Sequence, residues 1–156
     1  MGTLCVWRIG SLNTFPDNWK ERGGEAPSRL SPLSLAFIGD AVFETMVRER
    51  VLLRGNRPVG ALHEETVRYV RAEAQSAAYD AVEAVLGERE AQVLRRGRNA
   101  SGGAHPKHSS VMDYRRATAV EALIGYLHLS GEAVPLREIV EIICRITEGE
   151  EAQLVP

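Results

Sequence analysis

The stretch that decides the fold reads Leu35-Ala36-Phe37-Ile38-Gly39-Asp40-Ala41-Val42-Phe43-Glu44. Apolar residues at positions 35, 38, 42 and 46 recur at helical spacing, which predicts an apolar helix with Asp40 within or beside its buried stripe. A buried ionised carboxylate needs a cation, a hydrogen-bond donor or a metal to compensate its lost hydration. Gly39 destabilises a helix interior by roughly 1 kcal/mol relative to Ala, so we expect another backbone or a ligand close to it. Two unfavourable residues side by side indicate a functional site.

A second stretch, from Tyr114 to Leu127, has the same construction. It predicts an apolar helix with Glu121 in its middle and Gly125 four residues later. Two helices that each place one acid among apolar neighbours fit the walls of a divalent-metal site, because Mg²⁺ and Mn²⁺ prefer hard oxygen ligands. The alternative, in which Asp40 is an ordinary exposed or ion-paired helix residue, stays open at this point.

Composition and charge limit the class of protein. The 156 residues are enough for one domain with a real core. The net charge of −2 means that any basic surface must be local. Cys5 and Cys144 lack the spacing of a zinc site or a disulfide framework, so we expect reduced thiols. Apolar stretches too short to span a bilayer, and no secretory leader, predict a soluble cytoplasmic protein without a membrane partner.

The pattern predicts an all-α protein, because no segment alternates with period two. Residues 1–28 are predicted to be a flexible extension, residues 29–149 the folded domain and residues 150–156 an acidic tail. Glu148 is grouped with that acidic end, which is expected to have no role with RNA beyond solubility.

Capping and breaking residues predict where the helices begin and end. Ser31 and Pro32 begin the first helix, and Gly55 ends it. Further helices are predicted from Pro58 to Gly87 with a kink near residue 72, from Glu88 to about Leu94, from an Asp113 cap to about Leu129, and from Pro135 to Glu148.

A local group of basic and polar residues follows the predicted helix that begins at Glu88. Its members are Arg95, Arg96, Arg98 and Asn99, followed by a Gly/Ser/His/Lys loop that contains Lys107. This composition fits an element that contacts phosphates, although cations near a helix C-terminus are also favoured by the helix dipole. His105 and His108 have ligand spacing, but the absence of neighbouring Cys or further His argues against zinc.

Three ordered motifs resemble the ribonuclease III family. They are the stretch 35–44, Arg-Gly-Arg-Asn at 96–99, and Tyr-Arg-x-Ala-Thr-Ala at 114–119, which continues into the second acidic helix. Together they are similar to the Mini-ribonuclease III branch, which has the catalytic domain without a double-stranded-RNA-binding domain. The resemblance covers about residues 30–148 and makes residues 29–149 the catalytic domain.

The resemblance implies an all-helical homodimer that cleaves double-stranded RNA with Mg²⁺, or with Mn²⁺ in its place, leaving 5′-phosphate and 3′-hydroxyl ends. It implies that Asp40 and Glu121 are the catalytic, metal-binding acids, and that precursor 23S ribosomal RNA is the substrate. The candidates for RNA-backbone contact are Arg95, Arg96, Arg98, Asn99, Lys107 and Arg115, with Arg116 in second place.

The chain departs from the general family pattern at two positions. Ala36 and Thr118 stand where that pattern has two further acids, and the Mini-ribonuclease III branch is similar in lacking them. We therefore expect a metal with few protein ligands, and for Glu44 an ion pair rather than an outer-ligand role. Two other functions remain open: a catalytically silent RNA-binding helical dimer, and an all-α Mg²⁺-dependent nucleotide pyrophosphohydrolase.

Overall fold

The computed structural model describes residues 19–100, 107 and 110–149, and these residues form helices without any strand. The prediction of an all-α protein is confirmed. The elements are a 3-10 turn at Pro27–Arg29, then α1 Pro32–Leu53, α2 Val59–Val70, α3 Ala72–Ala84, α4 Glu88–Asn99, α5 Val111–Leu129 and α6 Ala133–Thr147. None of these helices is long and apolar enough to cross a membrane.

The ends of α1 and the break between α2 and α3 agree with the sequence. The Ser31 side chain accepts a hydrogen bond from the backbone N–H of Ser34 at 3.1 Å, and Gly55 follows the helix with a φ of +140°. Arg71 has an extended backbone with a ψ of 150°, which divides the Ala-rich region into two helices. The kink predicted near residue 72 is thus a single-residue break.

Three predicted helix ends are wrong. The N-cap of α5 is Ser110, which accepts from the backbone N–H of Asp113 at 3.0 Å and donates to its carboxylate at 2.8 Å. Asp113 is therefore the third residue of the helix, not its cap. Helix α4 continues through Asn99, so its basic residues lie on a helix. Helix α6 begins at Ala133 and not at Pro135. Pro135 fits within the first turn, because the N–H groups there have no acceptor within the helix and the missing N–H of proline costs no hydrogen bond.

Helix α5 is the centre of the core. Ten residues of this helix between Ala117 and Leu127 are buried, and α1, α3, α4 and α6 pack around it. A helix enclosed on all sides is apolar all round, which explains why the sequence there has no polar face. Cys144 is buried in the same core, whereas Cys5 lies outside the described residues.

Glu148 has a structural role that the sequence did not indicate. Its carboxylate accepts hydrogen bonds from the Arg50 guanidinium at 2.9 Å and 3.1 Å, from the Tyr69 hydroxyl at 2.9 Å, and from Arg54. These contacts join the end of α6 to α1 and α2. The sequence did not indicate this role, because the partners of Glu148 are distant along the chain. The predicted extension and tail lie largely outside the described residues.

Candidate active site

Two glycines allow α1 and α5 to cross in backbone contact. A Cβ atom at Gly39 would lie 1.7 Å from the carbonyl oxygen of Glu121, and one at Gly125 would lie 2.0 Å from the carbonyl oxygen of Leu35. No larger residue fits either position without moving the opposite backbone. The crossing therefore requires glycine on both helices, and it places Asp40, next to Gly39, beside Glu121.

Asp40 lies at the solvent-facing rim of this crossing. Its side chain is exposed, whereas Gly39 and Phe43 on the same helix are buried. Partial burial raises the pKa of the Asp40 carboxyl above its ordinary value, and the negative charge of Glu44 raises it further. Of the two positions that the sequence allowed, the structure places Asp40 beside the buried stripe rather than within it.

Glu121 lies deeper than Asp40. Burial raises the pKa of the Glu121 carboxyl to about 7, a hydrogen bond from Gln75 lowers it, and the charge of Asp40 raises it. The two acids are therefore close enough to repel each other. Neither forms an ion pair with a basic side chain in the part of the chain that the structure describes.

This donor set fits a divalent cation. Two adjacent carboxylates without a neighbouring basic group are the hard, anionic oxygen ligands that Mg²⁺ prefers, and one of them is accessible to water. Among residues 19–100, 107 and 110–149 there is no group of three or more acidic, His or Cys side chains that forms a metal site. A cation here would have two protein carboxylates, and water would complete its coordination.

Gln75 is the site residue that sequence analysis missed. Its amide is fully buried, and Nε2 donates to Glu121 Oε1 at 3.0 Å and to the carbonyl oxygen of Val70 at 3.1 Å. The signal in the sequence was a polar side chain between Ala74 and Ala78, on a helix face otherwise made of small apolar residues. The apolar pattern of α3 did not indicate that Gln75 faces Glu121.

The comparisons with known proteins identify the family. A family model for the ribonuclease III domain matches residues 33–132. The chain belongs to the ribonuclease III domain family. It is 42% identical to a Mini-ribonuclease 3 of Thermoanaerobacter sp. (strain X514), with 88% of this chain and 97% of that protein covered. It is 46% identical to a Mini-ribonuclease 3 of Symbiobacterium thermophilum, with 74% and 88% covered.

A solved structure shows the same fold. The crystal structure of a Fusobacterium nucleatum protein superposes with a TM-score of 0.71 and 30% identity, and covers 78% of this chain and 94% of the other. Members of the ribonuclease III family act on double-stranded RNA, and this chain is an endoribonuclease. The predicted family and fold are confirmed.

The two positions at which this ribonuclease III domain lacks an acid both belong to its core. Ala36 is 7% exposed on α1 and Thr118 is 6% exposed on α5. An unpaired carboxylate at either position would lose most of its hydration, so these positions require a partner charge or an apolar side chain. The chain has small, uncharged residues there, which leaves Asp40 and Glu121 as the acids of the crossing.

Glu44 lies one turn after Asp40 and forms an ion pair within its own helix. The Arg48 guanidinium donates to Glu44 Oε1 from Nε at 2.9 Å. Both side chains are more than a third exposed, so this pair contributes little to stability. Its influence on the acids is electrostatic, because Glu44 raises the pKa of Asp40.

The structure divides the candidate RNA-binding residues of the ribonuclease III domain into separate groups. Arg95, Arg96 and Asn99 line an open depression of about 460 Å³ with Pro32 and Gln92. Arg96 is partly used there, since its guanidinium donates to the carbonyl oxygens of Ser28 and Leu30 at 3.3 Å and 3.4 Å. Lys107 and Arg115 are exposed, and His105 and His108 lie outside the described residues.

Arg98 and Arg116 form the second group, on the ring of buried Tyr79. The guanidinium carbon of Arg116 lies 5.1 Å from the ring centroid and that of Arg98 lies 5.9 Å from it. Arg116 also pairs with Asp80 at 3.5 Å. The structure thus brings together the two acids, which the sequence predicted as one site, but it does not bring all the basic residues into one cluster.

Proposed function

We propose that this chain is a Mg²⁺-dependent enzyme that hydrolyses double-stranded RNA and leaves 5′-phosphate and 3′-hydroxyl ends, with Mn²⁺ as a possible substitute. One observation supports the metal site above all others. The backbone contact at Gly39 and Gly125 brings Asp40 and Glu121 together without a basic partner among the described residues. Burial and then the charge of Asp40 raise the pKa of the Glu121 carboxyl, and a bound cation favours the state in which both acids are ionised.

The two acids have different tasks in this proposal. A divalent cation, when bound, activates a water molecule and neutralises charge on the scissile phosphate. Asp40 is exposed, so it is the acid that solvent and a bound backbone can reach. Glu121 is largely desolvated, so its charge acts in a medium that screens it weakly. Gln75 donates to one of its oxygens and favours the ionised form.

RNA contact is assigned to residues in the C-terminal half of α4, to Lys107, and to the first turns of α5. The proposed contacts are Arg95, Arg98, Asn99, Lys107 and Arg115, with Arg96 also holding the segment before α1. A-form RNA is recognised mainly by its shape, phosphates and 2′-hydroxyls, so these contacts should confer little sequence preference. Binding should weaken steeply with salt, because the net charge of −2 gives no wider attraction.

A homodimer is part of the proposal, and the exposed face of α1 supports it. Phe37 is 83% exposed and Leu33 is 39% exposed, one turn apart on the helix that also carries Asp40. An exposed aromatic side chain next to another apolar residue is typical of an interface. If two copies meet there, their pairs of acids lie on opposite sides of one interface, which suits cleavage of the two strands of a duplex.

The proposed substrate is precursor 23S ribosomal RNA in the cytoplasm. Its support is the similarity to relatives named Mini-ribonuclease 3. In a precursor transcript that carries the flanking sequences of 23S ribosomal RNA, we expect cutting within the duplex that these sequences form and none in the single-stranded segments.

The experiment that tests the activity is cleavage of a long RNA duplex in Mg²⁺ by the wild type, Asp40→Asn and Glu121→Gln. We expect the wild type to cut and both variants to bind the duplex without cutting it. Binding without any cutting by the wild type would favour the silent RNA-binding dimer. Release of pyrophosphate from nucleoside triphosphates, without RNA cleavage, would replace the proposal with a pyrophosphohydrolase.

A further inference from the structure

The buried amide of Gln75 joins three elements at one point. It lies on α3, donates to the carbonyl of Val70 at the end of α2, and donates to the Glu121 carboxylate on α5. The Val70 carbonyl is one of the last four of its helix, so it has no partner within α2. Gln75 therefore satisfies a helix end and a catalytic acid with the two hydrogens of one NH₂ group.

The hydrogen bonds also fix which way the amide faces. With Glu121 ionised, both partners of Nε2 are oxygens that only accept, so a flipped amide would place oxygen against oxygen twice. The amide is fully buried and Val70 belongs to the backbone, so the side chain has one stable orientation. Oε1 receives no hydrogen bond from the protein side chains and backbone that the structure describes.

Glu121 depends on this contact more than an acid in a larger cluster would. The general family pattern has further acids at positions 36 and 118 of this crossing. This chain has Ala36 and Thr118 there, so neither position supplies a second carboxylate that would help to orient Glu121. Among the described residues, Gln75 is the one side chain that donates a hydrogen bond to the Glu121 carboxylate. A flexible Glu side chain would otherwise lose rotational freedom on binding a cation.

We propose that Gln75 is a positioning residue for the metal site: its NH₂ group holds Glu121 Oε1 in a fixed orientation before a cation binds. This inference rests on the proposed metal site at Asp40 and Glu121. Gln75 acts through Glu121 and does not contact the reacting atoms. Loss of such a supporting hydrogen bond weakens metal binding by roughly 10- to 100-fold in other proteins.

The test measures Mn²⁺ affinity by electron paramagnetic resonance in the absence of RNA, using the full chain. Gln75→Met keeps the length and approximate volume of the side chain and removes the donor, and Gln75→Asn keeps the amide but shortens its reach. The matched control is Thr66→Val, because Thr66 is also buried and its hydroxyl bonds only to the Leu62 carbonyl within α2. Thermal unfolding of each variant is measured in parallel.

We expect both Gln75 variants to bind Mn²⁺ roughly 10- to 100-fold more weakly than the wild type, and Thr66→Val to bind it as the wild type does, at comparable melting temperatures. Wild-type affinity in a folded Gln75 variant would overturn the inference and assign Gln75 to the α2–α3 corner alone. That outcome leaves the proposed function intact. The proposed metal site fails instead if Asp40→Asn and Glu121→Gln bind Mn²⁺ as tightly as the wild type.

A second measurement uses the wild type and so does not depend on the stability of a variant. The side-chain NH₂ resonances of Gln75 and Gln92 are compared by NMR during a Mg²⁺ titration. Gln92 is the control, because it is exposed and lines the depression beside Arg95 and Arg96 instead of contacting Glu121. We expect the Gln75 resonances to shift with the binding curve and those of Gln92 to stay in place. Unchanged Gln75 resonances at saturating Mg²⁺ would contradict a role in positioning Glu121.

Discussion

Replacing Gly39 by Ala should separate α1 from α5 and remove cleavage before it removes the fold. The new Cβ would lie 1.7 Å from the Glu121 carbonyl oxygen, whereas real Cβ atoms stay at least 3.0 Å from such an atom. The two backbones must therefore move apart by about 1.3 Å, since neither contact atom belongs to a flexible side chain. This movement displaces Glu121 relative to Asp40.

The magnitude follows from two opposing effects. Overpacking destabilises a core by about 1–3 kcal/mol, sometimes more, while Ala in place of Gly favours the helix by roughly 1 kcal/mol. We expect the free energy of unfolding to fall by up to about 2 kcal/mol. A displacement of about 1 Å at a catalytic site lowers the rate on the order of 100-fold, so cleavage should suffer more than stability.

The assay combines urea unfolding with the initial rate of duplex cleavage. Gly60→Ala is the matched control, because Gly60 lies in the exposed first turn of α2 and a Cβ added there has no atom within 4 Å. That control should be as stable as the wild type or slightly more stable. Gly97→Ala should be intermediate, since its Cβ would meet the Cα of Ala119 at 2.7 Å. A Gly39→Ala protein with wild-type stability and rate would refute the backbone contact.

Three further predictions test other parts of the structure. Glu148→Gln should lose about 1–2 kcal/mol of stability at neutral pH, because Arg50 and Tyr69 lose a charged acceptor. Although burial raises the pKa of Glu148, its bonds to Arg50 and Tyr69 keep that pKa below the ordinary value; its stabilisation is therefore present above the unfolded pKa and lost as pH falls through the folded pKa. Acid unfolding curves should show a smaller loss for the variant, and identical curves would exclude this role. Phe37→Glu should shift the protein toward monomers in sedimentation velocity, since Phe37 is 83% exposed on the proposed interface, and an unchanged dimer would place the interface elsewhere. Mn²⁺ affinity should rise with pH up to about 7, because the cation needs ionised Glu121 and burial raises the pKa of that carboxyl to about 7. Affinity independent of pH between 6 and 8 would argue against Glu121 as a ligand.

The sequence predicted the features that depend on neighbouring residues along one helix. The apolar periodicity of α1 and α5, the Ser31 cap and the glycine after α1 are local, and each agrees with the structure. The pairing of Asp40 with Glu121 was also accessible, because each acid breaks a local rule beside an apolar run and a glycine marks each helix for close packing.

The features that the sequence did not reveal depend on partners far along the chain. In the sequence, Gln75 is an ordinary polar residue and Glu148 is part of an acidic end. Only the fold shows that Gln75 donates to Glu121 on α5 and that Glu148 accepts from Arg50. Arg96 belongs to a basic cluster in sequence, yet its guanidinium holds the backbone before α1. Helical periodicity carries no information about such contacts, so side-chain pairing could not be predicted from it.

The most direct test of the metal site is an anomalous-scattering measurement on crystals soaked in Mn²⁺. The account predicts one anomalous peak per protomer at the crossing of α1 and α5, within ligand distance of carboxylate oxygens of both Asp40 and Glu121. A well-diffracting crystal at saturating Mn²⁺ with no peak there, or with its peak on other residues, would contradict the claim that these two acids together form the active site.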